Sequence, residues 1–199
     1  MNKTASEAFE IKACAKVNLC LAVKYPPTNG YHQLDSVFQE LELHDTLRFW
    51  TEPLWTQKQV AHTQLGSAIV LDCDVAGLAI EDNLIFRALD AAEQACGVLV
   101  AAPGSAFSVS VDKHIPAGGG LGGGSSDAAA ALKAYAQHAS IDSQDERIMS
   151  VARKLGADVA FFLHGGAALM DDRGDRLVRK LPDFPLPIVL MGAELGNST

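Results

Sequence analysis

A chain of 199 residues that is 48% hydrophobic can bury a sizeable core, as one domain or as two small ones. A charged content of 20% excludes wholesale disorder. A formal net charge of −8 excludes a general nucleic-acid or anionic-membrane surface, though not a local cationic site for a small anionic molecule.

In chain order, Phe9 to Lys24 reads as a half-buried strand, because Ala15, Val17, Leu19, Leu21 and Val23 alternate with Lys16, Asn18 and Cys20. Pro26-Pro27-Thr28-Asn29-Gly30 is turn chemistry that ends it. An apolar stretch follows from Leu34 to Leu47, then a strand at Leu47 to Thr51, a polar irregular region from Glu52 to Leu65, and a short strand at Ile69 to Cys73. Asn83 to Cys96 has helical spacing and Gly97 as a stop. Phe107, Val109 and Val111 alternate with Ser108, Ser110 and Asp112 as a further strand. An alanine-rich helix is predicted from about Ser126 to His138. Ser143 and Glu146 form a capping box for another helix that stops at Gly156. Ala167 to Met170 and Leu177 to Leu181 pattern as strands around the turn Asp171-Asp172-Arg173-Gly174, and Ile188 to Met191 opens one more.

Cys14, Cys20, Cys73 and Cys96 form no C-x-x-C pair and sit among apolar residues, so buried reduced thiols are expected. The six histidines show no metal-ligand spacing, so no protein metal site is expected. The polar start from Met1 to Glu10 has no signal-peptide apolar run, and no segment has the length to span a bilayer. The expectation is a soluble, cytoplasmic protein without membrane or nucleic-acid partners.

The most informative stretch is Pro116-Ala117-Gly118-Gly119-Gly120-Leu121-Gly122-Gly123-Gly124-Ser125-Ser126-Asp127, placed between a strand and a helix. Six glycines in seven positions carry an entropic cost that a mere connector need not bear. They let backbone N–H groups approach a ligand closely, and with the positive end of the following helix those donors suit a phosphate chain. Ser125 and Ser126 add hydroxyls that can cap the helix or reach a phosphate or Mg²⁺. The run satisfies G-x-G-x-x-G trivially, but no acidic residue follows at the end of a second strand about twenty residues on, as a dinucleotide fold requires. No Gly-Lys-Ser/Thr follows either, which excludes a Walker A loop.

The Pro-x-Gly-Gly-Gly-Leu-Gly-Gly-Gly-Ser-Ser run resembles the central ATP-binding motif of the GHMP kinases (galactokinase, homoserine kinase, mevalonate kinase and relatives). Ala15-Lys16-Val17-Asn18-Leu19 and Gly30-Tyr31-His32-Gln33-Leu34-Asp35-Ser36-Val37-Phe38-Gln39 resemble the first motif and the substrate segment of the diphosphocytidyl-methylerythritol kinases within that superfamily. Gly156-Ala157-Asp158-Val159-Ala160-Phe161-Phe162 resembles the superfamily's catalytic aspartate segment, and all of these fall in the family's order.

The resemblance implies the α+β GHMP architecture, with ATP and its Mg²⁺ in a deep cleft. Phosphate would be transferred to the 2-hydroxyl of a cytidine diphosphate-linked methylerythritol, a step of non-mevalonate isoprenoid synthesis. It implies Lys16 and Asp158 as catalytic residues, Pro116 to Ser126 with Asn83 and Lys113 as the ATP site, and Asn18, Tyr31 and His32 as substrate-binding residues. Asn83 also reads as an N-cap, and Lys113 as an exposed lysine at a strand end.

Without the family name, Lys16 and Asn18 still share one face of a strand and Asp158 sits in an apolar run. A carboxylate paired with Lys16 could accept the proton of an attacking hydroxyl while the ammonium steadies developing charge. The other reading is an Asp158 that caps the turn after Gly156 and a Lys16 that is merely solvated.

By the same resemblance, residues 1–181 form the N-terminal domain and 182–199 open a second, largely missing one that would carry an aromatic wall of the cytosine site. A monomer or weak homodimer is expected. A silent nucleotide-binding module and a GHMP kinase with another acceptor, such as homoserine or a sugar, are the alternatives. The pair Tyr31-His32 argues against the second.

Overall fold

The computed structural model describes residues 7–25, 33–56, 59–73, 79–182, 185 and 187–191. One strand organises its sheet. β2 runs through Leu34–Pro53, so the apolar stretch from Leu34 and the strand expected at Leu47 to Thr51 are a single 20-residue element. β1 (Phe9–Val23) lies antiparallel along one edge of β2 for most of its length. The other edge is shared. The C-terminal half of β2 pairs antiparallel with β5 (Ser105–Asp112), and its start pairs with β6 (Ala167–Asp171).

Outward from β5 come β4 (Ala68–Cys73), parallel to it, and the two-residue β3 (Ala61–His62). β7 (Arg176–Leu181) closes the other side by an antiparallel turn from β6, as the polar turn chemistry predicts. A parallel pair needs a crossover, and α1 (Leu84–Cys96) supplies it between β4 and β5.

Three further helices follow: α2 (Gly123–Ala139), α3 (Glu146–Leu155) and α4 (Ala157–His164). α2 is the central one, touching β1, β2, α1, α3 and α4. Its run from Ala128 to Ala136 is buried apart from Lys133, because alanines let the helix backbone settle close to its neighbours. Tyr135 is the large exception, wholly buried with its hydroxyl donating to the Val98 carbonyl at 2.9 Å. Phe49, Phe107, Leu47, Leu132, Phe161 and Phe162 complete a core shared by the sheet and the helices.

A break in strand register places the key lysine. The pairing of β1 with β2 runs regularly to Cys14–His44 and resumes at Lys16–Glu40. Across that irregularity the buried parity of β2 switches from Ser36 and Phe38 to Asp45, Leu47 and Phe49. A slip of this kind turns side chains to the opposite face, and Lys16 becomes buried at 7% exposure.

Several expectations need correction. The outer half of β1 does not alternate between buried and exposed: Leu19, Leu21 and Val23 are 44%, 56% and 57% exposed, and Asn18, Cys20 and Ala22 between them are exposed too, so neither face of that end is covered by the described residues. The cysteines are free but none is buried; Cys20 is exposed and the other three are half-buried. The cap of α3 is Asp145 rather than Ser143, its carboxylate accepting the Arg147 N–H at 2.9 Å. α2 begins three residues before Ser126, at Gly123, and residues 187–191 form no strand. Among the described residues no helix is long and apolar enough to cross a membrane.

Candidate active site

The turn between β5 and α2 is built by alternating glycines in the left-handed region: Gly118, Gly120 and Gly122, with φ of 74°, 69° and 75°. L residues with a Cβ avoid this conformation, so the glycines are structural requirements here. Gly122 is also the N-cap of α2, and no side chain caps that end. The backbone amides of the first helical turn are left for a ligand or solvent. The turn is pinned to β1 by the Lys16 N–H, which donates to the Leu121 carbonyl at 2.9 Å.

That bond brings Lys16 beside the glycine turn. The Lys16 ammonium lies 3.3 Å from Asp158 Oδ2, donates to Asn18 Oδ1 at 2.7 Å, and stands 5.2 Å from the centre of the Phe38 ring. The Asn18 amide in turn donates to Ser36 Oγ at 2.7 Å, and Ser36 donates to the Cys20 carbonyl at 2.8 Å. Sequence reasoning missed Ser36, a buried hydroxyl that fixes which way the Asn18 amide faces. Asp158 occupies the first turn of α4, where the helix dipole favours a carboxylate. Its apolar neighbours Val159 to Leu163 are buried, but its own side chain is 31% exposed, so it stands at the rim of the core rather than within it. The predicted trio Lys16, Asn18 and Asp158 therefore converges.

The same turn walls an open cavity of about 340 Å³, lined by residues 116–124 and by Asn83, Lys113, Cys73 and Asp127 among others. Its volume and glycine-lined wall suit a nucleotide. Ser125 and Ser126 do not line it; Ser126 is buried against the core in the first turn of α2. Tyr31 and His32 lie outside the described residues.

Asn83 fulfils its second reading as well as facing the cavity, since its side chain accepts the Ile85 N–H at 2.9 Å and caps α1. Asn83→Ala is expected to lower stability by about 1 kcal/mol, measured by urea denaturation, with Asn83→Asp retaining most of it.

Lys113 is not the solvated strand-end lysine of the sequence reading. It donates to Asp45 at 2.5 Å and to Asp127 at 2.6 Å. Burial works against its charge, but the hydrogen bonds and charges of Asp127 and Asp45 outweigh that and hold its pKa above the usual value. For Asp45 burial is likewise overcome, by Lys113 and by the N–H groups of Ile115 and His114, leaving its carboxyl below the usual range. Sequence reasoning missed Asp45 and gave Asp127 no role. The available signal for Asp45 was a carboxylate in the alternate row that Leu41, Leu43, Leu47 and Phe49 otherwise fill.

Residues 83–166 match the family model described as the GHMP kinases N terminal domain, a span that contains the whole glycine turn and Asp158. The chain is 38% identical over 188 residues to the 4-diphosphocytidyl-2-C-methyl-D-erythritol kinase of Pelotomaculum thermopropionicum, covering 94% of this chain and 60% of that protein. It is 37% identical over 193 residues to the like-named kinase of Chlorobaculum parvum, covering 96% and 61%.

Among solved structures, a crystal structure of 4-(cytidine 5′-diphospho)-2C-methyl-D-erythritol kinase superposes with a TM-score of 0.61 at 35% identity, over 87% of this chain and 55% of that one. The Methanococcus jannaschii mevalonate kinase superposes with a TM-score of 0.59 at 13% identity, over 88% and 56%, a likeness of fold. The chain thus spans about 60% of the length of these two curated relatives.

Proposed function

We propose that this chain, which resembles the GHMP kinases N terminal domain over residues 83–166 and the diphosphocytidyl-methylerythritol kinases over most of its length, transfers the γ-phosphoryl group of ATP to the 2-hydroxyl of 4-diphosphocytidyl-2-C-methyl-D-erythritol, in isoprenoid precursor synthesis. The observation that carries the reading is the contact between the two halves of the site. The Lys16–Asp158 ion pair is tied to the glycine turn through one backbone hydrogen bond, from Lys16 to Leu121. A nucleotide whose phosphates rest on the turn then ends beside a paired carboxylate and ammonium.

In this reading the amides of residues 118–124 and the start of α2 hold the phosphate chain. Mg²⁺ enters with ATP as part of the substrate. In that complex the phosphate oxygens would supply ligands to the ion. Asp158 accepts the proton as the O–H bond of the acceptor breaks and its oxygen bonds to the γ-phosphorus, and ADP leaves with the electrons of the broken P–O bond. Lys16, held by Asn18, faces the same oxygen and offsets its developing negative charge.

Adenine contacts fall to Asn83 and Lys113, and the cytosine to Tyr31 and His32. The latter pair rests on likeness to the relatives alone. Residues 1–181 would make up the nucleotide-binding and catalytic domain, with 182–199 opening the next. The acceptor is a small molecule, and the chain is expected to act in the cytoplasm as a monomer or weak homodimer.

The test is ADP release from Mg-ATP with and without the diphosphocytidyl acceptor, alongside calorimetric ATP binding. Acceptor-dependent release is expected. ATP binding with no release under any acceptor would replace this reading with a silent nucleotide-binding module.

A further inference from the structure

Beneath the glycine turn lies a charged cluster whose two carboxylates, Asp45 and Asp127, the proposed function leaves without a role. The Lys113 ammonium donates to Oδ2 of both Asp45 and Asp127. Asp45 is fully buried and Asp127 is only 5% exposed. The second oxygen of Asp45 accepts the N–H groups of His114 and Ile115, so both its oxygens are satisfied. The second oxygen of Asp127 is buried with no hydrogen-bond partner among the described residues.

Two carboxylates against one ammonium leave one unbalanced negative charge and one orphaned oxygen in a buried place. One proton on the pair would correct both defects, because it supplies the missing donor and neutralises the cluster.

The cluster is also part of the nucleotide cavity. Asp127 and Lys113 line it, and Asp45 lies close under the first residue of α2, where a Cβ added at Gly123 would meet its Oδ2 at 3.6 Å. The titratable groups facing Asp127 are Lys113 from the segment after β5, Asp45 from β2 and Cys73 from β4, and Asp82 from the 3-10 turn before α1 lines the same cavity. Lys113 is the cation among them. Burial is the main influence on Asp127 and lifts it to about 6; Lys113 opposes the rise and Asp45 adds to it. A triphosphate resting on the turn, even as its Mg²⁺ complex, brings further net negative charge to this wall. Like charges disfavour ionisation further.

We propose that nucleotide binding in this cavity takes up one proton from solvent onto the Asp45–Asp127 pair, with Asp127 as the carboxyl that holds it. The proposal rests on the nucleotide reading of the cavity and adds a coupling to it. Asp127 then acts as an affinity-setting residue, and by linkage the affinity for nucleotide falls as pH rises from about 6 to 8, approaching tenfold per unit.

The experiment is calorimetric titration of the whole chain with the Mg²⁺ complex of a non-hydrolysable ATP analogue, at pH 7, in buffers of different ionisation enthalpy. Wild type is expected to take up close to one proton per nucleotide, and Asp127→Asn close to none. Binding whose heat does not depend on the buffer overturns the coupling and leaves the nucleotide site standing; no binding by wild type overturns both. Should Asp127→Asn not bind, infrared difference spectra of wild type decide the matter. A protonated-carboxyl band that grows on binding is the expected result, and its absence overturns the proposal.

Discussion

Replacing Asp158 by alanine is expected to lower acceptor-dependent turnover by about 10² to 10⁴, the range of a lost general base, while nucleotide affinity stays within about threefold. The split follows from geometry. Asp158 stands on α4, paired with Lys16, and is not among the residues that wall the nucleotide cavity. Its removal leaves Lys16 with Asn18 and the Phe38 ring as partners, so the ammonium is not stranded. Since the Asp158 side chain is 31% exposed, solvent screens much of the lost attraction, and the stability change should be about 1 kcal/mol or less.

Lys16→Met keeps the apolar stem near Phe162 and removes only the charge; it should cost turnover by about 10² to 10³. If the two act as a unit, the double variant will be scarcely slower than the worse single one. Turnover within threefold of wild type in either single variant, or losses that multiply in the double, would remove the pair from the mechanism. Steady-state ADP release and calorimetric ATP binding on the same preparations read both quantities.

What was legible in the sequence divides along the range of the interactions. The glycine turn was legible because it is local: its strand, its φ-positive glycines and its helix lie within about thirty consecutive residues. α1 was legible from Asn83 through Gly97 for the same reason, since both caps are written at its ends. The convergence of Lys16 with Asp158 was legible only through family likeness, because the two are far apart in the chain and no period links them.

Contacts that depend on register escaped. Lys16 reads as a polar-face lysine until the irregularity opposite His44 and Glu40 turns it inward. Asp45 looks like an anomaly in the apolar row of Leu41, Leu43, Leu47 and Phe49 until Lys113 and the amides of His114 and Ile115 close around it, 68 to 70 residues away in sequence. The opposite error occurred at Leu19, Leu21 and Val23. Alternation predicts a buried row, but burial depends on whether another element covers that end of the sheet.

Gly122→Ala should be the most damaging single substitution in the turn, for two separable reasons. At φ 75° an alanine is strained by about 1–2 kcal/mol whatever surrounds it. A Cβ there would also meet the Phe162 ring at 3.0 Å and the Lys16 stem at 3.3 Å, and Phe162 is a core ring at 1% exposure with nowhere to retreat. Overpacking of this kind adds about 1–3 kcal/mol, so the total loss should be about 3 kcal/mol.

Gly120 provides the control. Its φ is 69°, but a Cβ there would meet nothing within 4 Å, so Gly120→Ala should cost only the backbone strain, about 1 kcal/mol. Urea denaturation of both variants separates strain from collision. The functional consequences should separate as well. At Gly122 the added methyl pushes on Lys16 as well as on the helix start, so turnover should fall along with ATP affinity, whereas at Gly120 affinity alone should change. Equal destabilisation in the two variants would mean that the ring yields and that the turn is not held against the core as the structure has it.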